Sequence, residues 1–146
     1  MIPSVLPSKI KHITAIQIRF NDIDIAGHIN NAIYMEYSDL AKMHYFNEVF
    51  KNTINWKEKG FVLAHISLDY FEPIYLNEEI IIETTTQKIG EKSIEILQIL
   101  RLKNSKADKG IKCIINSTMV AYHYIKKQSI NLPDKWIASL KKFEKK

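Results

Sequence analysis

The densest chemistry in this chain lies in residues 21–31, Asn21-Asp22-Ile23-Asp24-Ile25-Ala26-Gly27-His28-Ile29-Asn30-Asn31. Two carboxylates, one imidazole and a pair of adjacent amides fall in one short polar stretch just before a helical pattern. A helix N-terminus carries unpaired N–H groups and partial positive charge. Such donors polarise a carbonyl and hold an oxyanion as it forms. A nearby carboxylate can act on that carbonyl as nucleophile or as general base. Gly27 lets the backbone come close to a ligand. The same residue types also cap helices and form turns, and spacing alone leaves both readings open.

Other chemistries lack their motifs. His12, His44, His65 and His123 are scattered, with no His-Glu-x-x-His spacing for a metal. His44 lies on the apolar stripe of the helix and reads as a hydrogen-bonded core residue. His65, in a strand expected to face the helix, is within reach of the polar loop. Cys113 has no partner motif and reads as a small buried apolar residue. No Gly-x-Ser-x-Gly elbow and no phosphate-binding glycine loop occur.

The elements that must position the loop follow from periodicity. Residues 14–20 alternate, with Ile16, Ile18 and Phe20 on one side, which predicts a strand with one buried face. From Ala32 to about Phe50 the period becomes helical. Tyr34, Tyr37, Leu40, Ala41, His44 and Tyr45 form one stripe, with Asn30 or Asn31 placed to cap the start. Four strand-like runs rich in β-branched residues follow, at 61–71, 79–88, 93–103 and 111–124. The four glycines fall between patterned segments, and Pro73 ends the first of these runs. Pro133 opens a short terminal helix carrying Trp136, Ile137, Leu140 and Phe143. One long helix against a mostly antiparallel sheet of five strands is an α+β arrangement. Several strands are apolar on both faces, so a second subunit is expected on the face the helix leaves bare.

The 146 residues suit one domain spanning 1–146. Hydrophobic residues are 46% and charged residues 25%, which excludes a disordered chain. No apolar run is long enough to span a bilayer and no leader pattern precedes residue 8, so a cytoplasmic protein without a membrane partner is expected. The net charge is +5, and residues 126–146 alone hold seven lysines against two acids. The basic balance therefore belongs to the tail, and no nucleic-acid motif accompanies it.

The run Arg19-Phe20-Asn21-Asp22-Ile23-Asp24-Ile25-Ala26-Gly27-His28-Ile29-Asn30-Asn31-Ala32-Ile33-Tyr34 resembles the opening motif of the hotdog-fold thioesterases, in the 4-hydroxybenzoyl-CoA thioesterase-like branch. Leu68-Asp69-Tyr70-Phe71-Glu72-Pro73-Ile74 resembles the second strand of that family, with its Tyr-x-x-Pro. The order of elements agrees along nearly the whole chain. The resemblance implies a sheet wrapped around the long helix, homodimers or homotetramers with sites at subunit interfaces, an acyl-CoA substrate, and no metal or resident cofactor. It implies Asp24 as the catalytic carboxylate and the N–H of Asn31 as the oxyanion donor. His28 matches a position that lines the site, where it orients substrate, holds Asp24 or bonds the helix start. Gly27, Asn30, Tyr34, His65 and Asp69 are the remaining candidates for substrate contact. Asp22 is assigned a supporting role in the loop. Ala26 stands where the acyl-carrier-protein thioesterases place asparagine, which favours coenzyme A thioesters. The aspartate-x-asparagine-proline-x-histidine signature of the hotdog hydratases is absent. A carrier-protein thioesterase and a non-catalytic acyl-CoA binder are the alternatives.

Overall fold

The computed structural model describes residues 2–3 and 6–145. Five main strands and two helices occur: β1 (His12–Ile16), α1 (Ile33–Phe50), β2 (Lys59–Tyr70), β3 (Ile80–Ile89), β4 (Ser93–Leu102), β5 (Ile111–His123) and α2 (Asp134–Glu144). A two-residue strand, β6 (Gln128–Ser129), pairs with the end of β5. The sheet order is β1-β3-β4-β5-β2, every pair antiparallel. This is the α+β, helix-wrapping arrangement expected from the resemblance.

The sheet faces α1 with two apolar clusters. Toward the helix start, Tyr34, Tyr37 and Ala41 pack on Ile80, Ile82, Leu100, Cys113 and Ile115. Toward the helix end, Tyr45, Phe46, Val49 and Phe50 pack on Phe61, Ile94, Ile96 and Met119, and α2 closes this end with Trp136 and Leu140. Between them a polar buckle crosses the core. Gln98 is fully buried. Its amide donates to the Ser38 carbonyl at 3.1 Å and to the Thr84 hydroxyl at 3.3 Å, and it accepts from the Ser38 hydroxyl at 2.5 Å. Every polar group of that buckle has a partner, so its burial is tolerable.

Four expectations need correcting. The first strand ends at Ile16 and Phe20 is 80% exposed, because the chain turns into a 3-10 turn at Phe20–Asp22. Leu40 and His44 are exposed, so α1 does not present one apolar stripe; Met35, Leu40 and Met43 leave apolar surface on its outer side. Gly60 lies within β2 instead of a loop, where the Trp56 ring packs so closely that a Cβ would collide with it. The far face of the sheet is covered in part by this chain itself. Ile10, with Ile2 and Leu6, packs there on Leu97, Ile99, Ile111 and Ile114.

Candidate active site

The polar loop folds as a tight hairpin. Ile23 and Ile29 form an antiparallel bridge. The Asp24 N–H donates to the His28 carbonyl at 3.0 Å, and the Gly27 N–H to the Asp24 carbonyl at 3.0 Å. Gly27 has φ +86°, which costs an L side chain about 1–2 kcal/mol. The hairpin is tied down on both sides. The Asn30 N–H donates to the Asp22 carbonyl at 2.9 Å, and the Ile29 N–H to the Ile74 carbonyl at 2.9 Å. The second bond joins the hairpin to the segment after β2.

Asp22 and Asp24 differ in environment. Asp22 is 1% exposed. Its carboxylate accepts from the Tyr37 hydroxyl at 2.6 Å, the Arg19 N–H at 3.0 Å and the Arg19 guanidinium at 3.1 Å. Burial alone pushes this carboxyl up, but those donors outweigh it and hold the group below the usual carboxylate range. The bond also pushes Tyr37 up, after burial as the larger cause. Asp22 is therefore an anchor of the hairpin base. Asp24 is half-exposed. One of its oxygens accepts the Ala26 N–H at 2.9 Å, and it has no other side-chain partner among the described residues.

The helix start is arranged around Asn30 and Asn31. The Asn30 side-chain oxygen accepts the Ala32 N–H at 2.9 Å, and its carbonyl takes the Ile33 N–H at 2.9 Å. Of the two amides, Asn30 is thus the cap, while Ala32 supplies no side-chain bond. The Asn31 N–H makes no hydrogen bond among the described residues. Its carbonyl accepts the Tyr70 hydroxyl at 3.1 Å.

A cleft of about 180 Å³ opens here, lined by His28, Asn31, Tyr34, Tyr70, Phe71, Glu72 and Pro73. Tyr34 meets Tyr70 edge-on, with ring centroids 4.9 Å apart. Burial, then neighbouring negative groups that include Asp24, pushes the Tyr34 hydroxyl up to about 12. It is a neutral phenol at working pH and makes no hydrogen bond among the described residues. The His28 Nδ1 lies 3.4 Å from the Ile29 carbonyl, and the ring stands edge-on to Tyr75.

The structure brings His28, Asn31 and Tyr34 together around this cleft. Asp24, Gly27 and Asn30 sit on the hairpin and helix cap beside it, outside its lining. His65 and Asp69 are not brought to it. Ile66 and Leu68 pack on the helix side of the sheet, so by alternation His65 and Asp69 face the other side. Tyr70 is the site residue the sequence reading left unassigned; its signal was the Tyr70-x-x-Pro73 pattern. Among the described residues no group of three or more His, Cys, Asp or Glu side chains is placed to hold a metal ion.

Comparison with known proteins agrees with this fold. A long-chain acyl-CoA thioesterase of Escherichia coli, FadM, is 26% identical over 93 residues, 62% of this chain and 69% of that protein. A thioesterase of Thermus thermophilus complexed with coenzyme A and zinc superposes with a TM-score of 0.79 at 23% identity, covering 92% of this chain and 94% of that one. The PA5185 protein of Pseudomonas aeruginosa superposes with a TM-score of 0.80 at 21% identity, covering 92% of each chain. Residues 18–140, from just after β1 through most of α2, match the thioesterase-like superfamily, and the chain belongs to that family.

Proposed function

We propose that this protein hydrolyses acyl-CoA thioesters to a free acid and coenzyme A, in the cytoplasm. The observation that carries this reading is the unpaired N–H of cleft-lining Asn31, at a helix start directly after the hairpin that bears Asp24. The thioester carbonyl oxygen takes the Asn31 N–H as its donor. Asp24 then either attacks the carbonyl carbon, giving a mixed anhydride that water opens, or removes a proton from the water that attacks. In both routes the negative charge gathers on the oxygen held by Asn31 and returns as the C–S bond breaks. The leaving thiol has a pKa near ~8.5 and needs little acid assistance. His28 and Tyr34 hold the substrate against the cleft walls, Gly27 gives it access, and Asn30 keeps the helix start in place. His65 and Asp69 are left without a part in this scheme by the face they occupy.

The same proposal includes a homodimer. β2 is an edge strand of 12 residues whose outer edge is unpaired among the described residues. Long open edges invite pairing. Leu63 and Tyr70 on this strand, and Met35 and Met43 on the neighbouring helix, are exposed apolar residues that pairing would cover. Sedimentation should give twice the chain mass, and Leu63→Glu on that exposed surface should give monomer.

Thiol release from a panel of acyl-CoAs tests the activity. Asp24→Ala should lower kcat by at least about 10³-fold while the melting temperature stays within a few degrees, as expected when one essential catalytic group is removed. A folded protein that releases no thiol from any acyl-CoA would exclude the reading and leave the carrier-bound thioester or simple binding.

A further inference from the structure

Lys112 sits where β5 departs from a regular strand. Ile111 packs on the far face of the sheet and Cys113 on the helix side, although residues two apart on a regular strand share a face. β4 pairs Leu100 with Cys113 but Arg101 with Ile111, so Lys112 is the extra residue of a β-bulge. A bulge re-aims the side chain it carries. This one lies beside the end of β2, where the Phe71 and Glu72 N–H groups both donate to the Lys112 carbonyl, at 2.9 and 3.4 Å.

The residue is 4% exposed. A buried ammonium is costly unless it is paired and hydrogen-bonded. The side-chain partners of this one among the described residues all come from the segment 71–79, which joins β2 to β3 and has no helix or strand of its own. The ammonium donates to the Pro73 carbonyl at 2.9 Å and to Glu78 at 3.2 Å, with Glu72 at 3.5 Å. The other oxygen of Glu78 accepts the Tyr75 N–H at 2.8 Å.

The cleft depends on that segment. Phe71, Glu72 and Pro73 form one of its walls. Ile74 is fully buried, and its carbonyl takes the Ile29 N–H that ties down the hairpin. Tyr75 stands edge-on to His28. The hairpin is therefore held on one side by Asp22, at its own base, and on the other by a segment whose path Lys112 fixes. Lys112 itself is outside the cleft lining.

We propose that Lys112 is a positioning residue of the hydrolysis, which sets, through Pro73 and Ile74, where Asp24 stands relative to the Asn31 N–H. The inference rests on the acyl-CoA reading for the reaction it serves. Two effects act together. Misplacing a reacting group by about 1 Å costs about 10²-fold in rate, so a loosened Ile29–Ile74 tie is felt at the chemistry. Lys112 also offsets the charge of Glu72 and Glu78. Without it, a cleft-lining carboxylate stands uncompensated where the thioester oxygen gathers negative charge.

Hydrogen exchange and turnover of the full chain test this together. Lys112→Met keeps most of the side-chain length and removes its charge. Its Ile29 amide should lose at least about tenfold more protection than the amides of β4, because a local tie opens and not the whole fold. In the same variant kcat on the best acyl-CoA should fall by about 10–100-fold while KM changes less than about threefold, a split that lost stability alone does not produce. Should Lys112→Met fail to fold, Glu78→Gln takes its place. It still offers the Tyr75 N–H an acceptor but weakens the hold of Lys112, and should show the same pattern with changes of at least about threefold. An unchanged kcat, a loss confined to KM, or protection lost equally at Ile29 and in β4 overturns the proposal. In a wild-type protein that releases no thiol the hydrolase reading falls by itself, and exchange at Ile29 decides whether Lys112 positions the hairpin.

Discussion

The two ends of α1 are built for different ends. At the start, the backbone N–H of Asn31 is unpaired among the described residues, a neutral phenol lies beside it, and a half-exposed carboxylate stands on a hairpin tip. At the end, the chain is closed off. The Lys51 N–H donates to the Asn47 carbonyl at 3.0 Å and the Thr53 hydroxyl to the Phe50 carbonyl at 2.7 Å. Phe46 stacks on Phe61 at 5.2 Å, and Phe61 meets Trp136 at 5.1 Å. One helix thus has an end whose polar groups are kept available and an end whose polar groups are satisfied beside a buried aromatic cluster. Available donors cost stability, since each unpaired group forgoes a hydrogen bond. The aromatic end offsets that cost, and the separation lets chemistry and stability be altered independently.

The largest effect should come from the closed end. Trp136→Ala removes a side chain packed on Phe50 and Phe61 and should cost about 3–5 kcal/mol in chemical denaturation. At temperatures where the variant stays folded, kcat should hold within about twofold. A large loss of kcat in the folded variant would mean that the two ends are coupled. Next in size is the open end. Asn31→Pro deletes the N–H at a position where proline suits a helix start, and should lower kcat by about 10²–10³-fold. Asn31→Ala keeps the N–H and should change kcat by less than about threefold. Equal losses in both would assign the role to the side chain and break the contrast. The smallest effect concerns pH. His12 lies against Tyr45 near the closed end, with its Nε2 3.1 Å from Glu48. Burial, opposed by Glu48 and aided by His44, holds its pKa below the usual histidine value. The unfolded chain therefore binds this proton more readily, and stability should fall as pH drops from about 6.5 toward the folded pKa. Denaturation midpoints of His12→Gln should flatten in that window; an unchanged slope would place the titration elsewhere.

Local pattern carried much of this protein. The helical period over 32–50 and the alternation of the four later runs come from neighbouring residues, and their observed ends lie within about two residues of those expected. The polar loop over residues 21–31 was legible because turn chemistry acts over two to four residues, but its closing as a hairpin through the Ile23–Ile29 bridge was not. Asp22 as anchor was legible in part: its loop role was expected, but Tyr37 as its partner lies 15 residues away. His65 and Asp69 were misjudged relative to the helix because the strand face depends on register, and the bulge between Leu63 and His65 reset it.

What the sequence by itself determined was the kind of elements, their order, and the presence of a carboxylate, a glycine and a capped helix start within one short stretch. Those depend on propensity and spacing. What only the tertiary structure decided was which distant groups meet. Tyr70 reaches Asn31 across 39 residues, the N-terminal segment covers part of the far face of the sheet, and Gln98 meets Ser38 across 60 residues inside the core. Each of these follows from how a sheet of long-range pairs closes on one helix, and contacts of that range leave no periodic trace in the chain.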